Sequence, residues 1–123
     1  MKNKHRYYRY LALGDSYTIG EGVEERKNFP HQVVYSLAGT LDFLPPRIVA
    51  KTGWTTAELM EGIASEELSG QKYDWVTLLI GVNNQYRGQD RDRYAREFEQ
   101  LLDQALTFAG GNAKRMIVLY IPD

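Results

Sequence analysis

Four short apolar runs, each of the first three followed by a stretch of helical spacing, limit this chain to very few folds. "YRYLAL" reads as a strand, and "NFPHQVVYSLAGTL" as a helix with Pro30 in its first turn and Phe29, Val33, Leu37 and Leu41 four apart. After Pro45-Pro46, "RIVAK" reads as a second strand. "TTAELMEGIASEEL" follows as a helix in which Thr55 and Glu58 have capping-box spacing and Leu59 and Ile63 share a face. The run from Trp75 to Ile80 is almost wholly apolar, as a central parallel strand covered on both faces must be. A helix from about Asp92 to Ala109 then carries Tyr94, Phe98, Leu101, Ala105 and Phe108 on one stripe, and it stops at Gly110-Gly111. "RMIVLYI", Arg115 to Ile121, supplies a fourth strand.

The order β-α-β-α-β-α-β predicts an α/β fold of three αβα layers, with a flavodoxin-like parallel sheet of about four strands in the order 2-1-3-4. At 123 residues, 43% of them hydrophobic, the chain can bury one core, so residues 1–123 read as a single domain. The sequence stops on "IPD", just after a strand, where the alternation calls for another helix. The domain is therefore expected to be incomplete at its carboxyl terminus.

A net charge of −1 gives no basic footprint for nucleic acid. Without cysteine, disulfides and thiolate metal sites are excluded, and only His5, His31 and carboxylates remain as possible ligands. A metal centre is not expected. The basic start is followed by an apolar stretch of only Tyr10 to Leu13, so no export signal or membrane span is legible and a cytoplasmic location is expected.

In open parallel sheets the reactive groups gather at the carboxyl ends of the strands. Gly14-Asp15-Ser16 lies at that end of the first strand, Gly53 follows the second, and "GVNNQ", Gly81 to Gln85, follows the third. A serine on a tight strand-to-helix turn exposes its hydroxyl and suits a nucleophile, Ser16. The Ser16 N–H, the Gly53 N–H and the Asn83 amide are the expected donors of an oxyanion hole. Asp15 reads as structural, its carboxylate bonded to loop amides. His5 falls in the basic leader, and His31, at the start of the first helix, is a weak substitute for a general base. Trp54, Tyr86 and Phe29 flank the site and either line an acyl pocket or belong to the core. The run "RGQDRDRYAR" reads as a solvated helix entry.

At these motifs the sequence resembles the GDSL, or SGNH, hydrolases. "GDSYTIGEG" matches the family's first block with Ser16 as nucleophile, Gly53 stands for the second, and "GVNN" resembles the Gly-x-Asn-Asp third block. Asn83 aligns there, while Asn84 stands where the family usually has aspartate. The fourth block, Asp-x-x-His, which carries the family's acid and base, is absent from these 123 residues. The resemblance implies a serine acyl-ester hydrolase acting on a small acyl ester without metal or organic cofactor. Two other readings stay open: a catalytically inactive fragment serving as a binding or assembly module, and a flavodoxin-like phosphate or flavin binder using the hydroxyls of "SYTIGEG". The uninterrupted "MIVLYI" run also predicts a homodimer formed by antiparallel pairing of fourth-strand edges.

Overall fold

The computed structural model describes residues 6–120. His5 and the segment 121–123, to which expectations were attached, lie outside the described residues. Four strands, β1 (Tyr10–Gly14), β2 (Arg47–Ala50), β3 (Trp75–Leu79) and β4 (Met116–Leu119), form one parallel sheet in the order β2-β1-β3-β4, as expected. The helices are α1 (Ser16–Ile19), α2 (Phe29–Leu37), α3 (Thr56–Ser65), α4 (Val82–Tyr86) and α5 (Arg91–Phe108).

β1 lies between β2 and β3, with Leu13 in register with Val49 on one side and Leu78 on the other. Alternation along the strand divides the core in two. Leu11 and Leu13 join Val49, Val76 and Leu78 under Leu59 and Ile63 of α3 and Leu101, Ala105 and Phe108 of α5. Tyr10 and Ala12 face the opposite layer, a smaller cluster with Val34 of α2, Phe43, Ile48 and Trp75. Within that layer the Tyr10 hydroxyl and the Thr77 hydroxyl share a hydrogen bond of 2.8 Å. Burial pushes the Tyr10 phenol up to about 12, against the opposing effect of that bond.

Two boundaries differ from the sequence reading. α2 buries Pro30 and Val34 rather than the Phe29-Val33-Leu37 row, and Val33 is 37% exposed. The two rows are neighbours on the helix surface, about 100° apart, so periodicity alone does not choose between them. Leu41 falls beyond the helix, in a turn where its N–H donates to the Leu37 carbonyl. The fourth strand is also shorter than Arg115–Ile121, because Arg115 closes a 3-10 turn, Ala113–Arg115, before the strand begins. Among the described residues β4 is an edge strand, and its Ile117, Val118 and Leu119 are 36–45% exposed.

Candidate active site

The elbow after β1 exists because residue 14 has no side chain. A Cβ on Gly14 would lie 2.1 Å from the Thr18 hydroxyl oxygen and 2.7 Å from the Leu79 carbonyl, so only glycine lets α1 fold back across β1 and β3. Asp15 caps α1. Its Oδ1 accepts the Tyr17 N–H at 3.0 Å, and its own carbonyl accepts from the N–H groups of Thr18 and Ile19. Only 1% exposed, its carboxyl is held above the usual range by burial, which outweighs the backbone hydrogen bonds it receives. Ser16, the first residue of α1, is half-buried, and neither its hydroxyl nor its N–H has a hydrogen-bond partner among the described residues. Asp15 thus takes the structural place expected of it.

The loop between β2 and α3 is closed by a turn in which the Trp54 N–H donates to the Lys51 carbonyl at 3.2 Å. Gly53 occupies the third position with φ of +86°, the signature of a type II turn that glycine alone enters freely. Its N–H has no partner among the described residues. Beyond the turn, Thr55 and Glu58 form the capping box of α3, with the Thr55 N–H on Glu58 Oε1 at 3.0 Å. That hydrogen bond is the main reason the Glu58 carboxyl lies below its ordinary value, with Arg87 assisting.

α4 follows β3 at Gly81, where φ is +129° and a Cβ would meet the Tyr94 hydroxyl at 2.7 Å. Its side chains reach back to the loop just described. Asn83 donates one amide N–H to the Trp54 carbonyl at 3.0 Å, and its second amide hydrogen has no partner among the described residues. Arg87 donates to the Gly53 carbonyl at 2.6 Å and pairs with Glu58 at 3.3 Å. Asn84, 2% exposed, accepts the Thr56 N–H at 3.0 Å, and its amide donates to the hydroxyl of Thr56 and to Gln89, both at 2.8 Å. The Thr56 hydroxyl in turn donates to Glu97 at 2.6 Å, and Arg93 donates to the same carboxylate at 3.0 Å. Partial burial works against the charge on Glu97, but the bonds from Thr56 and Arg93 outweigh it and keep the carboxyl below its ordinary value.

The structure thus brings Ser16, Gly53 and Asn83 to the same edge of three adjacent strands. His31 is engaged elsewhere: its N–H and its Nδ1 both meet the Asn28 side-chain oxygen, at 3.1 and 2.8 Å, at the amino end of α2. Trp54 belongs to the core margin, stacked so closely on Gly62 that a Cβ there would lie 2.2 Å from its ring. Tyr86 is 89% exposed, and Phe29 is half-buried. A cavity of about 420 Å³ adjoins the elbow on the β3 side, bordered by Asp15, Gly81, Asn84, Gln89 and Tyr94. Thr56, Arg87 and Glu97, which tie the loops together, carry no sequence signal of that role. Among the described residues no group of three His, Cys, Asp or Glu is placed to hold a metal ion, and no helix is long and apolar enough to cross a membrane.

The chain belongs to the GDSL-like Lipase/Acylhydrolase family, whose family model matches residues 12–122. The structure superposes on AlinE4, an SGNH-hydrolase family esterase, with a TM-score of 0.75 at 19% identity, covering 96% of this chain and 60% of that one. It is also similar to the psychrotrophic esterase EstA from Pseudoalteromonas sp., with a TM-score of 0.74 at 16% identity over 94% of this chain and 61% of that one. TesA gives a TM-score of 0.72 at 18% identity, over 91% and 58%. The chain therefore spans about three fifths of the length of these structures. No curated protein matches it.

Proposed function

We propose that this chain carries the nucleophile and oxyanion hole of a serine acyl-ester hydrolase. Ser16 attacks the carbonyl of a small acyl ester, and the Ser16 N–H, the Gly53 N–H and the second Asn83 amide hydrogen receive the negative oxygen that forms. The observation that carries this reading is that the Ser16 and Gly53 N–H groups lack partners among the described residues while the backbone around each is hydrogen-bonded. A donor held still and left unpaired meets the requirement for stabilising charge that appears only in the transition state.

The 123 residues contain no Asp-x-x-His, and His31 is committed to the Asn28 cap, so this reading assigns Ser16 no general base among the described residues. In serine proteases the oxyanion hole and binding alone retain roughly 10³ to 10⁴ of acceleration when a triad member is lost. Feeble, Ser16-dependent hydrolysis of 4-nitrophenyl acetate is expected. Turnover that is unchanged in Ser16→Ala refutes the reading; ordinary enzyme rates refute the lack of a base among these residues.

A further inference from the structure

The loop that carries Gly53 is gripped along its length by one turn of helix. The carbonyl of Gly53 receives Arg87, the carbonyl of Trp54 receives Asn83, and the N–H of Thr56 goes to Asn84. Of the three, only Arg87 reaches Gly53 itself. We propose that Arg87 is a positioning residue that holds Gly53, and with it the Gly53 N–H, in place against α4, an inference that rests on the oxyanion role given to Gly53 above.

Three observations lead there. First, the peptide unit between Thr52 and Gly53 is the middle of the turn. Its Gly53 N–H is joined through one Cα to the unit that follows, whose carbonyl is held by Arg87 and whose Trp54 N–H is held by the Lys51 carbonyl. Glycine has the least backbone restraint of any residue, so without that hold the Gly53 N–H would be free to move. Secondly, the Arg87 bond is charge-assisted and short at 2.6 Å, and its other arm lies 3.3 Å from Glu58, which itself accepts the Thr55 N–H at 3.0 Å. The guanidinium therefore spans the turn and the first turn of α3 as a rigid fork, which a lysine ammonium cannot reproduce in both arms. Thirdly, the Arg87 side chain is 50% exposed, and half-exposed ion pairs add little to the stability of a fold. Such a residue matters mainly for where it holds the loop.

The test uses the whole chain labelled with ¹⁵N-glycine, together with steady-state hydrolysis of 4-nitrophenyl acetate. In Arg87→Ala the Gly53 amide signal is expected to move or split while those of Gly14 and Gly62 hold. Ser16-dependent turnover should fall roughly tenfold with KM unchanged, less than the loss on removing a donor outright. Arg87→Lys should recover part of the turnover. Glu58→Gln, which preserves the capping box but removes the charge facing Arg87, gives a smaller displacement of the same signal and serves if the alanine variant does not fold. A Gly53 signal unchanged in all three variants overturns the proposal. If the signal moves but turnover is equal in wild type and Ser16→Ala, the hydrolase reading fails and the positioning of Gly53 stands.

Discussion

Asn84 and Thr56 are joined by a reciprocal pair of hydrogen bonds: the Asn84 side-chain oxygen accepts the Thr56 N–H at 3.0 Å, and its amide donates to the Thr56 hydroxyl at 2.8 Å. The hydroxyl proton is thereby directed to Glu97, 2.6 Å away. An aspartate at 84, the usual family residue, could keep the first bond but has no hydrogen for the second. It would also place a second carboxylate on a hydroxyl already bonded to one.

Asn84→Asp is therefore expected to destabilise this chain by about 1–3 kcal/mol at neutral pH, the range for a buried polar group left unsatisfied. The new carboxyl, buried at a site 2% exposed, would bind its proton more tightly folded than unfolded, so the deficit shrinks as pH falls. Urea unfolding at pH 7 and near pH 4.5 checks this, and an equal deficit at both values contradicts it.

The raised carboxyl of Asp15 makes a second pH-dependent prediction. A folded-state value above the unfolded one means that this group's contribution to stability is complete below the unfolded value and is lost as pH rises through the folded value. Asp15→Asn retains an acceptor for the Tyr17 N–H and removes the buried charge. Relative to wild type its stability should therefore rise on going from about pH 3 to pH 7. A stability difference flat across that range, measured by chemical denaturation, counts against burial as the dominant influence on Asp15.

Gly14→Ala is expected to cost about 2–4 kcal/mol, in the upper range of single substitutions, since the new methyl meets Thr18 and a backbone carbonyl that cannot swing aside. Adding Thr18→Ala should return only part of that loss, because the Leu79 carbonyl remains 2.7 Å from the Cβ position. Thermal melts of the single and double variants decide it; full recovery in the double variant would show that the carbonyl contact is unimportant.

At Gly62 the obstruction is the far edge of an indole ring, so Gly62→Ala should displace Trp54 at small cost in stability. In a Trp75→Phe background, where Trp54 is the remaining tryptophan, its emission should shift to longer wavelength as the ring leaves the core margin. An unchanged spectrum with a large drop in melting temperature would mean that the ring stays and the backbone yields.

The sheet order was legible because each strand is a short apolar run and each crossover long enough to require a parallel neighbour. The α3 cap was legible because Thr55 and Glu58 announce it locally. α1 and α4 were not, since helices of four and five residues are too short to show a 3.6-residue period. Ser16, Gly53 and Asn83 stood out by falling at the ends of strands. Arg87 and Glu97 could not, because their partners Gly53 and Thr56 lie 34 and 41 residues away in sequence, and only the folded topology brings them together.

Among the described residues β4 pairs on one side only, and its other flank separates a part of the sheet that can be extended from the loops that cannot be altered. The hydrogen bonds that fix Asp15, Gly53 and Asn83 run among the loops after β1, β2 and β3, and none of them passes through β4. A strand added beyond β4, whether from this polypeptide or another, would lengthen the ladder without redrawing that constellation. The outer flank of β4 and the turn that holds Gly53 thus lie on opposite sides of β3.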